Sequence, residues 1–273
     1  MASSAASQRT FLLGLGAQKA GTTWLHDYLA TSGLVATDGI KEYHVWDALR
    51  IPEMAHMVVS RAECERSSEN RVRFFLQQSP DNYFGYFDDL MRQQGKGITC
   101  DITPLYSGLD RGVLGMIHEG FSRLGVATKA VFLMRDPIER CWSSARMESR
   151  NAHGHTRVDD EGVLLWAKTR LSELRGRYDV TVGEIEAVLP GRDVHLGIYE
   201  EMFTPDRLAA LSAFCCVPFT PAHMEKKFNV SEKAAPLGDA VCEGIARHYR
   251  DVYRFAAVRF PQTIELWRGF RYL

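Results

Sequence analysis

The sequence predicts an α/β fold in which helices flank a central, doubly wound parallel sheet. Short apolar runs alternate with longer amphipathic segments, a pattern typical of parallel strands that are buried on both faces and connected by helices. The predicted strands are residues 11–16, 98–102, 130–134 and 194–199, and the predicted helices are residues 23–31, 137–150, 164–177 and 205–214. Ligands of such sheets bind beyond the carboxyl ends of the strands, so the residues that follow each strand are the functional candidates.

Length and charge favour one globular domain. The chain has 273 residues, of which 45% are hydrophobic and 25% are charged, and this is enough to bury one substantial core. We expect residues 1–9 to form a flexible tail and residues 10–273 a single domain, with residues 48–80 as a helical insertion. The formal net charge of -1 gives no electrostatic reason to expect a nucleic-acid or anionic-membrane partner.

Apolar segments and cysteines indicate the cellular compartment. The N-terminal region has no apolar run long enough for an export signal, and no stretch of the chain is long enough to span a bilayer. The six cysteines are scattered, without a C-x-x-C pair or the spacing of a zinc site. We therefore expect a cytoplasmic protein with reduced thiols and without a metal site.

The loop after the first predicted strand has the composition of a phosphate-binding loop. In a strand, loop and helix arrangement, backbone N–H groups and the helix N-terminus converge on an anion. Gly16 and Gly21 keep the spacing of the nucleotide-binding P-loop, but Thr22 stands where that loop has its lysine, and the lysine is Lys19. This P-loop-type arrangement disfavours an ordinary nucleoside triphosphatase, whose lysine reaches the β- and γ-phosphates. The alternative is a strand-to-helix turn without a ligand.

A second anion site is predicted after the strand at residues 130–134. Arg135 follows this strand directly, and Asp136 and Pro137 then begin a helix as N-cap and first helical residue. Ser143 lies two turns further along that helix, so we expect Arg135 and Ser143 to reach one phosphate. The alternative is that Asp136 and Arg140 form a local ion pair on a solvated surface.

Together, the two segments resemble the two motifs with which sulfotransferases bind 3′-phosphoadenosine-5′-phosphosulfate (PAPS). These segments are Lys-Ala-Gly-Thr-Thr-Trp-Leu at residues 19–25 and Arg-Asp-Pro-Ile-Glu-Arg-Cys-Trp-Ser at residues 135–143. The resemblance implies that Arg135 and Ser143 bind the 3′-phosphate and that the transfer uses no metal. It implies that the 5′-phosphosulfate is bound by Lys19, Ala20, Gly21, Thr22, Thr23 and Trp24.

Residues 41–47, Lys-Glu-Tyr-His-Val-Trp-Asp, resemble the K-E-x-H-F-F-D segment of one branch of this family, which contains the glycosaminoglycan (heparan sulfate) sulfotransferases and their bacterial relatives. In that branch the glutamate is the catalytic base, which implies this role for Glu42, while His44 orients the acceptor or shares the duty. In an extended chain Glu42 and His44 share one face, and Lys41 and Tyr43 point the other way. The residues alone also fit an ion-paired loop without a catalytic role.

Later segments extend the resemblance over most of the chain. Residues 101–106, Asp-Ile-Thr-Pro-Leu-Tyr, are similar to the acceptor-side S-P-x-Y segment of the family, although Ile102 stands where the glycosaminoglycan enzymes have a basic residue. Residues 199–202 resemble the Y-E-D-L segment, and Lys233 lies in a region similar to the late loop over the nucleotide. The expected acceptor contacts are Lys41, Tyr43, Thr103 and Tyr106.

The sequence therefore predicts a sulfotransferase that moves a sulfuryl group from PAPS to a hydroxyl or amine of a carbohydrate or small-molecule alcohol. The resemblance implies that Lys19 stabilises the leaving phosphate and that Glu42 removes the acceptor proton, an effect worth about 10²–10⁴-fold in rate. One alternative is a P-loop small-molecule kinase, which needs a lysine at the position of Thr22 and a carboxylate for magnesium. The other is a nucleotide-binding module without activity, which does not account for the presence of Lys19, Glu42 and Arg135 together.

Overall fold

A central parallel sheet organises the fold. The computed structural model describes residues 8–153, 159–226 and 236–273, and within them five strands form one sheet. The strands are β1 (Arg9–Gly16), β2 (Val35–Ala36), β3 (Ile98–Ile102), β4 (Val126–Met134) and β5 (Val194–Ile198). Their order across the sheet is β2-β3-β1-β4-β5, and each neighbouring pair is parallel. The predicted α/β fold class is confirmed.

Helices flank this sheet and connect its strands. They are α1 (Thr22–Ala30), α2 (Trp46–Arg50), α3 (Ser68–Gln77), α4 (Pro80–Gln94), α5 (Arg111–Arg123), α6 (Pro137–His153), α7 (Asp160–Ala167), α8 (Arg170–Leu174), α9 (Tyr178–Glu186), α10 (Pro205–Cys215), α11 (Asp239–His248), α12 (Arg250–Arg259) and α13 (Thr263–Leu266). Short 3₁₀ helices occur at Pro52–Met57, Pro104–Gly108, Gly191–Asp193, Pro221–Glu225 and Arg268–Tyr272. The region predicted to be a helical insertion thus contains most of α2, one 3₁₀ helix and α3.

The central position of β1 follows from its side chains, which are apolar on both faces. Phe11, Leu12, Leu13 and Leu15 are all fully buried, as expected for a parallel strand covered on both sides. On one face the ring of Phe11 stacks on Phe121 with ring centroids 4.0 Å apart. The hydrophobic core therefore continues from the sheet into the helices that cover it.

Local side-chain chemistry sets several helix ends. Ser67 accepts a hydrogen bond from the backbone N–H of Asn70 at the start of α3, and Asp110 accepts one from Val113 at the start of α5. Helix α4 ends at Gly95, whose φ of 63° is in the left-handed region that glycine adopts readily. These caps fix where the helices begin and end on the sheet.

The helix predicted over residues 164–177 is instead two separate helices. Helix α7 ends at Ala167, and α8 begins after Thr169, whose hydroxyl oxygen accepts a 3.2 Å hydrogen bond from the backbone N–H of Ser172. A threonine that caps a new helix interrupts the previous one, because its side chain satisfies an N–H group at the new helix start. The other three predicted helices agree with α1, α6 and α10 to within a few residues.

The carboxyl ends of the strands bring the candidate residues to one edge of the sheet. Gly16 ends β1, Thr103 follows β3, Arg135 follows β4 and Tyr199 follows β5. Strand β3 pairs with one side of β1 and β4 with the other, so the connections leave β1 in both directions. Such a reversal of strand order opens a crevice at the carboxyl edge, where ligands of doubly wound sheets bind.

No helix in the described ranges has both the length and the apolar composition needed to cross a membrane. All six cysteines fall within these ranges, and each is a free thiol.

Candidate active site

A cavity of about 650 Å³ opens at the carboxyl edge of the sheet. This volume lies within the range of small-molecule and cofactor sites. Nine of the residues predicted from the sequence line it: Lys19, Gly21, Thr22, Thr23, Trp24, Lys41, Glu42, Arg135 and Ser143. The loops after β1, β4 and β5 form most of its wall, and residues 41–42 close one side. The structure thus brings together the two predicted anion sites and the predicted base.

Two glycines shape the loop between β1 and α1. Gly16 has a φ of 123°, and a Cβ atom there would lie 2.5 Å from the carbonyl oxygen of Pro104. Gly21 has a φ of 91°, and a Cβ atom there would lie 3.0 Å from Sδ of Met202 and 3.2 Å from the ring of Tyr199. Both positions therefore require glycine for conformation and for space. The loop can approach the strands closely because of them.

Helix α1 directs its N-terminus at the cavity. It begins at Thr22 after Gly21, which offers no side-chain cap to the first N–H groups. Thr22 and Thr23 of this first turn line the cavity. Uncapped N–H groups together with the helix dipole favour an anion at this place. Ala20, by contrast, is fully buried and does not line the cavity, so only its backbone is available to a ligand.

Lys19 borders the cavity from a left-handed backbone conformation, with a φ of 69°. Its Nζ atom lies 3.9 Å from Sδ of Met147. Burial lowers the pKa of Lys19, and the positive charges of Arg150 and Arg135 lower it further. An anion in the cavity would offset this accumulation of positive charge. The electrostatics therefore favour a negatively charged ligand beside Lys19.

Arg135 links the loop after β4 to the loop after β1. Its Nη1 atom donates a 2.9 Å hydrogen bond to the carbonyl oxygen of Lys19, and its guanidinium lies over the ring of Tyr199 at 4.6 Å. Among the described residues, no hydrogen-bond acceptor reaches its buried Nε atom. Ser143, on α6, lines the same cavity. Arg135 thus retains capacity for an anionic partner.

Asp136 and Arg140 do not form the surface ion pair that was considered as an alternative. Both side chains are buried. Asp136 accepts a hydrogen bond from the hydroxyl of Tyr253, whereas Nη2 of Arg140 donates to the hydroxyls of Ser172 and Tyr249. The start of α6 is therefore fixed inside the protein, which holds Arg135 at the edge of the cavity.

Glu42, His44 and Asp47 form a hydrogen-bonded row beside the cavity. Nε2 of His44 lies 3.3 Å from Oε2 of Glu42, and Nδ1 of His44 lies 2.7 Å from Oδ2 of the fully buried Asp47. Nζ of Lys41 bonds to the other oxygen of Glu42. The segment is not a strand, because His44 has a φ of 51°, and Lys41 turns towards Glu42 and not away from it. The predicted extended arrangement is wrong, although Glu42 and His44 still meet.

In this row, the charged form of each group stabilises the charged form of its neighbour. Burial lowers the pKa of His44, but hydrogen bonds to Asp47 and Glu42 outweigh it and raise the pKa to about 9. Burial raises the pKa of Glu42, but hydrogen bonds from His44 and Lys41 outweigh it and lower the pKa to about 2. At neutral pH the row is therefore a carboxylate beside an imidazolium.

Three of the expected acceptor contacts lie inside the protein. The hydroxyl of Thr103 accepts a 3.1 Å hydrogen bond from the backbone N–H of Tyr43, and the hydroxyl of Tyr106 accepts a 3.2 Å bond from the N–H of Val45. Both hydroxyls donate to the carboxylate of Asp101, at 2.6 and 2.9 Å. The side chains of Tyr43, Thr103 and Tyr106 are 0–1% exposed and do not line the cavity. We therefore reassign them from acceptor contacts to support of the Glu42 segment.

Asp101 explains this reassignment. Its carboxylate is fully buried, and burial raises its pKa to about 6, although hydrogen bonds from Thr103, Tyr106 and Tyr83 oppose the rise. A buried carboxylate requires several donors, and these hydroxyls supply them. Neither this role of Asp101 nor that of Asp47 was predicted from the sequence. The three-residue spacing of His44 and Asp47 was the available signal for the second of them.

Other cavity residues had no earlier assignment. Tyr199, Phe203, Met147, Met224, Gln18, Pro104 and Lys226 complete the wall. Phe203 meets the rings of Trp24 and Tyr199 edge to face, with centroids 5.3 and 5.5 Å apart. Lys233, predicted to contact the nucleotide, lies outside the described residues. No group of three or more His, Cys, Asp or Glu side chains in the described part of the chain is arranged to hold a metal ion.

Comparisons with known proteins show similarity in structure but not in sequence. The sequence matches no protein-family model and no curated protein. A sulfotransferase from Alicyclobacillus acidocaldarius has a similar structure, with a TM-score of 0.59 and 18% identity over 92% of this chain and 95% of that one. The sulfotransferase domain from the curacin biosynthetic pathway has a TM-score of 0.50 and 17% identity over 81% of this chain and 78% of that one. The protein therefore shares the α/β fold of these two structures.

Proposed function

We propose that this protein is a PAPS-dependent sulfotransferase that transfers the sulfuryl group to a hydroxyl or amine of a carbohydrate or small-molecule alcohol. The observation that carries the proposal is the convergence on one cavity of Lys19, Arg135 and Glu42. The first two belong to separate anion sites, and the third is a carboxylate held by a histidine. The fold shared with solved sulfotransferases supports the same reaction.

The residues present fit the donor. PAPS carries a 5′-phosphosulfate, a 3′-phosphate and an adenine ring. The first fits the N-terminus of α1 with Lys19, and the second fits Arg135 with Ser143, where the buried Nε atom of Arg135 has no acceptor among the described residues. An adenine ring fits the aromatic wall of Trp24, Tyr199 and Phe203.

The bound donor would supply a sulfuryl group attached to a phosphate leaving group. The ammonium of Lys19 and the first N–H groups of α1 stabilise negative charge on that phosphate as the bond to sulfur breaks. A sulfuryl group carries less negative charge than a terminal phosphoryl group, so these donors are suited to the task without a metal ion. Arg135 holds the carbonyl of Lys19 and thereby fixes the lysine backbone.

Glu42 is the group suited to remove the acceptor proton. His44, with a pKa of about 9, is protonated at neutral pH and does not act as the base in this state. Glu42 is ionised, but its pKa of about 2 makes it a weak base towards a free alcohol. Proton transfer therefore accompanies formation of the new S–O bond, which makes the hydroxyl more acidic. His44 and Asp47 hold the carboxylate in place for that moment.

The cavity gives less support to a P-loop kinase. Thr22 occupies the start of α1, where a kinase of this type has its lysine. Among the described residues that line the cavity, Glu42 is the one carboxylate, and Lys41 and His44 already bind it. A magnesium ion would have to displace both. A nucleotide-binding module without activity does not account for the charged row of Glu42, His44 and Asp47 beside the cavity.

Thermal stabilisation separates these possibilities. The melting temperature is measured with 3′,5′-adenosine bisphosphate, with 5′-AMP and with ATP and magnesium. We expect the bisphosphate to stabilise the protein most, because it carries both anionic groups. Incubation with PAPS and a panel of hydroxylated acceptors, followed by mass detection of sulfated product, then tests the reaction. A preference for ATP and magnesium would contradict the proposed function.

A further inference from the structure

Helix α3 contacts the backbone of the segment that carries Glu42 and His44. Nη2 of Arg73 donates a 2.8 Å hydrogen bond to the carbonyl oxygen of Glu42, and Nε2 of Gln77 donates a 2.7 Å bond to the carbonyl oxygen of His44. Arg73 and Gln77 are four residues apart, so they lie on one face of the helix. Two alternate carbonyl groups of the segment are thus bound by two successive turns of α3.

The opposite side of the same segment is bound by residues after β3. The N–H groups of Tyr43 and Val45 donate to the hydroxyls of Thr103 and Tyr106. Alternate peptide groups between Glu42 and Val45 are therefore held from two directions, the carbonyls by α3 and the N–H groups by the residues after β3. A segment without regular secondary structure acquires a fixed conformation in this way.

The side chains of α3 are themselves held. Arg73 also donates to Oε1 of Glu69, at 2.6 Å. The amide oxygen of Gln77 accepts a 2.8 Å bond from the N–H of Val59, and its nitrogen also donates to the carbonyl of Met57. Gln77 is buried, and the side chain of Arg73 is only 15% exposed. Their geometry therefore depends on the packing of α3 against the segments on either side.

We infer that α3 is a positioning element of the reaction, in which Arg73 and Gln77 set the place of the Glu42 carboxylate relative to the acceptor hydroxyl. The inference rests on the proposed function. Neither side chain lines the cavity, so both act through Glu42 and His44 and not on a substrate. The inference thus gives α3, which lies between β2 and α4, a role in positioning Glu42.

The consequence for Glu42 is electrostatic as well as geometric. Its 3.3 Å contact with His44 requires the backbone of both residues to stay in place. If Arg73 no longer binds the carbonyl of Glu42, the segment moves and this contact lengthens. His44 then loses one of its two carboxylate partners and keeps Asp47. Lys41, Arg175 and Arg73 itself are further charged groups near Glu42, and of these Lys41 bonds directly to the carboxylate.

The test is the Arg73→Gln variant, with Arg71→Gln as a matched control on the exposed side of the same helix. NMR titration of the histidine ring signals, with His44 assigned by comparison with His44→Gln, gives the pKa of His44. We expect this pKa to fall from about 9 in Arg73→Gln and to stay unchanged in Arg71→Gln. Turnover of PAPS with an acceptor from the panel should fall about 10–100-fold in Arg73→Gln, because small displacements of a catalytic group have effects of this size.

Affinity for 3′,5′-adenosine bisphosphate, measured by calorimetry, should remain that of the wild type in both variants. Wild-type turnover and an unchanged His44 pKa in Arg73→Gln would overturn the inference. If Arg73→Gln does not fold, Arg73→Lys takes its place, because the lysine side chain is shorter and cannot bind Glu42 and Glu69 together. Reduced turnover with a lowered His44 pKa then supports the inference, and wild-type values of both overturn it. A wild-type protein that does not bind the bisphosphate contradicts the proposed function itself, which is a different result.

Discussion

Nε2 of His44 lies 3.3 Å from Oε2 of Glu42, and the pKa of each group is shifted in the direction that keeps this pair charged. The pKa of His44 is raised to about 9, and that of Glu42 is lowered to about 2. A pKa that differs between the folded and unfolded states makes the free energy of unfolding depend on pH. The pair therefore has a measurable signature that needs no substrate.

We expect the pair to stabilise the protein most between pH 4.5 and pH 6.5, the ordinary pKa values of the two groups. The contribution of Glu42 is present above 4.5 and is lost as the pH falls through about 2, and that of His44 is present below 6.5 and is lost as the pH rises through about 9. Urea unfolding of the wild type and His44→Gln should show a larger difference at about pH 5.5 than at about pH 10. The exposed His56, as His56→Gln, is the control. Equal differences at both pH values would contradict the charged pair.

Glu42→Gln should lower turnover about 10²–10⁴-fold, because the amide keeps the shape of the side chain but cannot accept the proton. The affinity for 3′,5′-adenosine bisphosphate should change little, since the anion sites are formed by other residues. Turnover with the best acceptor of the panel and calorimetry with the bisphosphate measure the two effects. Glu65→Gln, an exposed carboxylate of similar chemistry, is the control. If Glu42→Gln keeps its turnover, another group is the base.

Arg135→Gln should weaken binding of 3′,5′-adenosine bisphosphate more than binding of 5′-AMP. A hydrogen bond to a charged group contributes about 1.5–3 kcal/mol, which corresponds to about 10–150-fold in affinity. The smaller effect on 5′-AMP comes from the lost bond to the carbonyl of Lys19. Calorimetry with both nucleotides gives the ratio, and Arg123→Gln, on the exposed end of α5, is the control. Equal losses for both nucleotides would mean that Arg135 does not bind the 3′-phosphate.

Gly21→Ala should destabilise the protein more than Gly33→Ala. Both glycines have a positive φ, of 91° and 78°, so an alanine is strained by about 1–2 kcal/mol at either position. At Gly21 the added Cβ would also lie 3.0 Å from Sδ of Met202, whereas nothing lies within 4 Å at Gly33. Melting temperatures of the two variants measure this difference, and Gly21→Ala should also bind the bisphosphate more weakly. Identical melting temperatures would show that the loop tolerates the extra atom.

The shared cavity position of Lys19 and Arg135 was predictable because each belongs to a short contiguous segment after a buried strand. Lys19 and Arg135 each follow a buried strand, and the alternation of apolar strands with helices placed both at the same edge. The positions of Thr103 and Tyr106 were not predictable in this way. A polar residue after a strand faces the cavity unless a buried group binds it first, and the carboxylate of Asp101 binds both hydroxyls.

The other features that could not be predicted from the sequence depend on contacts between residues far apart in the chain. Arg73 binds the carbonyl of Glu42 across 31 residues of sequence, and no periodicity in the chain records such a contact. The amphipathic pattern predicted one continuous helix over residues 164–177. The hydroxyl of Thr169 caps a new helix within this range, and the single predicted helix is therefore two helices. The sequence pattern thus indicated which elements exist, whereas their mutual packing determined which polar groups remained available to a ligand.

The order of strands across the sheet separates two tasks in space. The proposed donor contacts follow β1, β4 and β5, whereas the residues that carry and place Glu42 lie between α1 and the turn after β3. Under the proposed function, substitutions on the β3 side can therefore change the part of the cavity wall that carries Glu42 while the residues proposed to bind the nucleotide stay the same. If the proposed function holds, this side of the cavity can vary, in nature or by directed evolution, independently of the loops after β1, β4 and β5.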